Sequence, residues 1–200
     1  VIGQARSARG LLDSHAVSSR ALDDPVLEQR RQNALAQIRQ LGDPVLRLKA
    51  EPVSRFDRGL AEDVELMTRI MIDGRGVGLA APQIGRSRRL IVIKPDEDGP
   101  VTALVNPEIT VRDATEQTDS EGCLSLGEAT MDVARPRAIT VTALDVKGEQ
   151  IEIEAEGFLA RVIQHEVDHL DGVLIIDRAV DADQRREAMR ELRTGVPASS

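Results

Sequence analysis

Between Arg89 and Glu156 the chain runs through one strand-like segment after another with no helical periodicity between them, and that succession limits the folds open to it. "RLIVIK", Arg89 to Lys94, reads as a buried strand and "PDEDGP" after it as a turn. Further strand-like pieces follow at Val101–Val105 and Glu108–Val111, with "EGCLSL" at Glu121–Leu126 next. "AITVTALD" and "QIEIEAE", joined by "VKGE", read as a β-hairpin turning at Lys147-Gly148. Helical spacing is confined to the flanks. One helix is expected over Pro25–Leu41, with Leu35, Ile38 and Leu41 on a stripe. A second is expected over Gly59–Ile72, where Leu60, Val64, Met67, Ile70 and Met71 share a face and Gly74 is the stop signal. Two more are expected over Gly157–Leu170 and about 181–193. Strands gathered centrally with helices at both ends predict an α+β fold with mixed or antiparallel sheets, not alternating βαβ units. "GDPVLR", Gly42–Arg47, is a turn leading into an extended piece, and "GRGVGLAAPQIG", Gly74–Gly85, is too rich in Gly and Ala for a packed element.

Composition adds one constraint on the core and several on function. With two Phe and no Tyr or Trp, the interior has to be built from Leu, Ile, Val, Ala and Met. The same lack removes the aromatic platforms on which single-stranded nucleic acid stacks. A net charge of -8 argues against a phosphate-backbone binder, so no specific nucleic acid is expected. No apolar run approaches the roughly 20 residues that span a bilayer. Two hundred residues suit one domain, expected over 25–200, after a loose tail at 1–24 that carries no apolar periodicity. A single Cys excludes an internal disulfide.

The chemistry is concentrated in few positions. In "QHEVDHLDG", residues 164–172, His165 and His169 lie four apart, so on a helix they share a face and can reach one ion. Glu166 sits on the flank, within reach of a water at that ion without being a ligand. A polar helix end accounts for the bare H-E-x-x-H pattern about as well. Cys123 alone reads more naturally as a small buried hydrophobe. Set beside the two histidines, it completes a Cys/His/His set, and three protein ligands leave one tetrahedral position open, as catalytic sites do. "GVGLAAPQ", Gly76–Gln83, lacks phosphate-loop spacing; it could admit an extended peptide and offer the Gln83 amide to an oxyanion, or be a plain turn.

Together "GVGLAAPQ", "EGCLS" and "HEVDH", in that order, resemble the three motifs of the bacterial peptide deformylases, over about residues 38 to 180 and including "GDPVLR". The segment before Gln37 is not part of the pattern. The resemblance implies sheets arranged around a central metal-binding helix, and removal of the formyl group from the N-terminal formyl-methionine of new polypeptides. It implies that Cys123, His165 and His169 bind a divalent metal, Fe2+ in the cell with Zn2+ or Ni2+ able to substitute. Glu166 would act as general base and then general acid, with the Gln83 amide and the Leu124 N–H meeting the oxyanion. Substrate would pair as an added strand with Gly76, Val77 and Gly78, and Val77, Phe158 and Val162 would line the methionine pocket; core packing is the competing account of the last two. A monomer in the bacterial cytoplasm, ahead of an organelle, is the expected setting, with nascent N-formylmethionyl polypeptides as partners and no membrane association.

Two other readings compete. A zinc endopeptidase would draw its third ligand from Asp171, Asp177 or Glu187 and leave Cys123 without a role. A non-catalytic metal-binding or redox-sensing module would have no use for Glu166. Arg186, Arg190 and Arg193 form a basic stripe on the last helix, which either pairs with Asp183 and Glu187 as an ordinary solvated face or makes a transient ribosome contact.

Overall fold

The computed structural model describes residues 24–96 and 98–194, with backbone alone for 191–194. The expected tail up to residue 23, Glu97 of the "PDEDGP" turn and the Arg193 side chain lie outside the described residues. The elements are α1 (Pro25–Leu35), α2 (Arg58–Asp73), β1 (Gly78–Ala80), β2 (Leu90–Ile93), β3 (Thr102–Arg112), β4 (Glu116–Gly122), β5 (Thr130–Pro136), β6 (Ala138–Leu144), β7 (Gln150–Glu156), α3 (Gly157–Leu170), the single turn α4 (Ile175–Arg178) and α5 (Ala182–Thr194). Five strands form an antiparallel sheet in the order β1-β2-β3-β6-β7, and β4 and β5 form a separate hairpin. The expected α+β class holds.

The central sheet is covered on both faces, which explains the unbroken apolar run in β2. Ile91 and Ile93 point to α3, packing with Leu104, Val141, Ile163, Val167 and Leu170. Leu90 and Val92 point the other way, to Leu60, Met67, Ile70 and Met71 of α2. A third cluster lies behind Cys123, where Leu126, Met131 and Val133 of the hairpin meet Leu46, Ile175, Ile176 and Ala188. Aliphatic side chains and Met do all of this. The two aromatics stay outside, Phe56 at 37% and Phe158 at 55% exposure.

Three local expectations are corrected. Helix α1 ends at Leu35 rather than Leu41, because the following backbone is committed elsewhere: the Arg39 N–H donates to the Gln83 carbonyl at 2.7 Å and the Leu41 N–H to the Ser125 carbonyl at 2.9 Å. Its start is as marked, with Pro25 in the first turn and the Asp24 carboxylate accepting from the Val26 N–H. The two pieces at Val101–Val105 and Glu108–Val111 are one strand, β3, broken in register between Val105 and Glu108. Asn106 takes a left-handed φ of 52° there, and its side chain pairs with both the N–H and the carbonyl of Val53. The Gly- and Ala-rich stretch is packed after all: Leu79 to Gln83 are buried, as β1 and the 3-10 turn Ala81–Ile84. Small residues are what lets this segment lie against α3.

Candidate active site

Helix α3 places the two histidines. Gly157, at φ 59°, turns the chain sharply out of β7 in a conformation that side-chain-bearing residues resist. The helix then buries Ala160, Ile163, Val167 and Leu170 against the sheet. That leaves His165 and His169 on another face, with ring centroids 5.0 Å apart. Cys123 comes from the β4–β5 connection, and its Sγ lies 3.3 Å from His169 Nε2. One donor atom from each of Cys123, His165 and His169 falls within 4.8 Å of the others, and this is the one such group of three or more among the described residues. A thiol and two imidazoles so placed could hold a metal ion.

The surrounding groups orient these three. His165 Nδ1 lies 3.0 Å from Glu121 Oε2, which turns Nε2 toward the cluster. Glu121 is gripped by Arg135 through two bonds, at 2.7 and 3.0 Å, and by Arg161 at 2.6 Å. Burial opposes its ionisation, but the hydrogen bonds from His165 and Arg135 bring it down to about 2. Arg135 continues to Asp168 at 2.8 Å, and Asp168 to Arg178 at 2.8 Å. The aspartate inside "HEVDH" therefore anchors a chain of ion pairs. Burial, followed by the charge on His165, holds His169 well below the ordinary imidazole range. That favours the neutral form a ligand needs.

Glu166 is 4% exposed, and its Oε2 has no hydrogen-bond partner among the described residues. Burial raises its carboxyl to about 7 against the pull of His165 and Arg135. Its other oxygen explains Gly78: a Cβ there would stand 2.3 Å from Glu166 Oε1. Gln83 is equally constrained. Its side-chain oxygen accepts from the Ala80 N–H at 2.8 Å, so its amide nitrogen faces Ser125 Oγ at 3.1 Å and Cys123 Sγ at 3.7 Å. Leu124 opens a 3-10 turn, so its own N–H is not used by that turn. The Leu124 carbonyl is held by Gln40 Nε2 at 3.1 Å.

One cleft of about 760 Å³ opens onto this cluster, with Gly76, Val77 and Gly78 on one side, Phe158 and Val162 on another, and Cys123, Gln83, His165 and Glu166 at its base. Phe158, more than half exposed, is not a core residue, whereas Val162 is 5% exposed and belongs to both core and cleft. The ligands postulated for an endopeptidase are not in the cluster. Asp171 pairs with Arg89 at 2.7 Å, Asp177 pairs with Arg47, and Glu187 is exposed on α5.

The polypeptide deformylase family model matches residues 35–185. The chain belongs to the peptide deformylase family. The peptide deformylase of Thermotoga maritima is 46% identical over 160 residues, 78% of this chain and 96% of that one. That of Prochlorococcus marinus is 41% identical over 181 residues, 89% of this chain and 85% of its own. The crystal structure of the Thermotoga maritima deformylase superposes with a TM-score of 0.70, covering 72% of this chain and 97% of that one at 46% identity. A Synechococcus elongatus deformylase in complex with actinonin gives 0.75 at 40% identity, covering 80% and 88%. Among the described residues no helix is long and apolar enough to cross a membrane.

Glu121, Arg135 and Arg161 were not foreseen as site residues. Glu121 had a signal: it lies two residues before Cys123 at the end of a strand, where alternate residues share a face. The two arginines had none, since arginine is rarely buried and only the fold supplies their partners.

Proposed function

We propose that this chain, through a single domain formed by residues 25–200, removes the formyl group from the N-terminal formyl-methionine of newly made polypeptides, acting as a monomer in the cytoplasm. The observation that carries this is the meeting of Cys123, His165 and His169 beside a buried, half-unpartnered Glu166 at the base of a cleft, in a member of the deformylase family. Cys123, His165 and His169 hold a divalent ion, Fe2+ in the cell with Zn2+ or Ni2+ as substitutes, since thiolate with imidazole suits each of them. The ion's chemistry is to lower the pKa of a water and to polarise the formyl carbonyl.

The chain's own groups do the rest. Glu166 takes the proton of the attacking water and delivers it to the amine nitrogen as the C–N bond breaks, leaving formate and a free methionine amine. The Gln83 amide, pinned by Ala80, and the Leu124 N–H donate to the oxygen that becomes negative; each such donor contributes about 3 kcal/mol. The substrate backbone adds as a strand along Gly76 to Gly78, the segment that leads into β1, and the methionine side chain lies among Val77, Phe158 and Val162. The test is a substrate panel at fixed metal loading. Formate release from a formyl-Met peptide, with an acetyl-Met peptide and casein left intact, supports the reading; cleavage of casein without formate release overturns it.

Contact with the ribosome through α5 is part of the same proposal. Arg186 pairs with Asp183, which favours the ordinary solvated face for that part of the stripe. Ala188 is built into the third core cluster, so deleting α5 would disturb the fold. Reversing Arg186 and Arg190 to Glu tests the contact more cleanly. Salt-sensitive co-sedimentation with ribosomes should weaken, and unchanged binding would leave α5 as plain surface.

A further inference from the structure

Helix α1 contributes Arg31 and Leu35 to the cleft wall. Arg31 stands before the residues 35–185 that the family model matches. Arg31 Nη2 reaches across to Glu128 Oε1 at 2.9 Å, joining α1 to the β4–β5 connection at the cleft, while its Nη1 lies 3.8 Å from Glu28 Oε1 one turn back on α1. The pair is unequal: the Arg31 side chain is 24% exposed, Glu128 89%. A guanidinium held against its helix thus faces a carboxylate that stands almost wholly in water, and such a contact is easily exchanged. Arg75 lines the same cleft at the start of the Gly76–Gly78 segment, exposed and with no side-chain partner among the described residues. Of the acidic groups deeper in, Glu121 is held by Arg135, Arg161 and His165, and Glu166 is the buried carboxyl already assigned to the chemistry. At the exposed rim of this cleft, Arg75 is thus a cation without a side-chain partner among the described residues and Arg31 one whose partners are surface carboxylates, on a chain whose net charge is -8.

We propose that Arg31 and Arg75 select substrates carrying an Asp or Glu side chain in the residues that follow the formyl-methionine, the substrate carboxylate displacing Glu128 from Arg31. The inference rests on the deformylase reading. Arg31 and Arg75 act on binding, away from the bond that breaks, so the preference falls on KM and diminishes with added salt.

The test compares formyl-Met-Ala peptides that continue with Glu-Glu, Gln-Gln or Lys-Lys, on the metal-loaded enzyme. The expected result is a kcat/KM for the Glu peptide about two- to fivefold above the Gln peptide, the range an exposed ion pair supplies, with the Lys peptide below both. The Glu-to-Gln ratio should fall toward one in Arg31→Ala and Arg75→Ala, partly persist in Arg31→Lys, and rise in Glu128→Gln, where the resident competitor is gone. Arg58→Ala, an exposed pair on α2 remote from the cleft, should keep the wild-type ratio. Equal rates on the Glu and Gln peptides, or a ratio unmoved in the Arg31→Ala/Arg75→Ala double variant, would overturn the inference while leaving the deformylase reading intact. Failure to release formate from any of the peptides would overturn both.

Discussion

Replacing Gly78 with Ala adds one methyl group next to the proposed proton carrier. That Cβ would stand 2.3 Å from Glu166 Oε1 and 2.9 Å from both Cγ and Cδ. Ordinary contact begins near 3.4 Å, so the carboxylate has to retreat by about 1.1 Å. Close contact with three consecutive atoms means the whole side chain must swing, and Glu166 is buried on a helix packed against the sheet. A displacement of about 1 Å in a reacting group costs on the order of 100-fold, so kcat should fall by roughly that factor. The overpacking itself should cost about 1–3 kcal/mol, lowering Tm by several degrees in a chain of this size. Metal content should be unchanged, because no ligand is touched. The assay is formate release from a formyl-Met peptide by Gly78→Ala, Glu166→Gln and the double variant. If the methyl acts through Glu166, its effect should largely vanish once the carboxylate is gone. A fully active Gly78→Ala enzyme would refute the reasoning, and so would two losses that simply multiply.

Other expectations follow from the same site. Glu166→Gln should retain the ion and lose about 10²–10⁴ in turnover; metal analysis beside kinetics checks it, and an inactive protein that has also lost its metal would remove Glu166 from the role of proton carrier. Cys123→Ala leaves two imidazoles, so metal occupancy after dialysis should collapse; full occupancy would point to another third ligand. Arg135→Met takes one partner from buried Glu121 and from Asp168, and should destabilise the fold by about 3–5 kcal/mol in chemical denaturation. It should also weaken metal affinity by about 10- to 100-fold through a loosened His165. A variant with unaltered stability and affinity would mean the ion-pair chain is dispensable.

What could be read from the sequence was local. The β6–β7 hairpin, the α2 stripe and the i, i+4 histidines each follow from a short-range period, and each stands where expected. Strand β5 was overlooked because its inward positions, Met131, Val133 and Arg135, place an arginine where a core residue would be looked for. That arginine is inside only because Glu121 and Asp168 meet it there, which no single segment reveals. The end of α1 differs for a related reason: Ile38 and Leu41 continue the apolar stripe, but the backbone N–H groups of Arg39 and Leu41 hold the Gln83 and Ser125 loops in place. In the Gly76–Gln83 loop, lack of bulk reads as lack of packing from the sequence, whereas Gly78 lies so close to Glu166 that a Cβ would not fit.

The central claim is that one divalent ion, held by Cys123, His165 and His169, works with Glu166 to release formate. It is tested most directly by titrating metal-free protein with Fe2+ under anaerobic conditions while following formate from a formyl-Met peptide. The account predicts no release without metal, a linear rise, and a break at about one equivalent per chain. Formate release by the metal-free protein, or a protein that binds one equivalent and releases none, would contradict it.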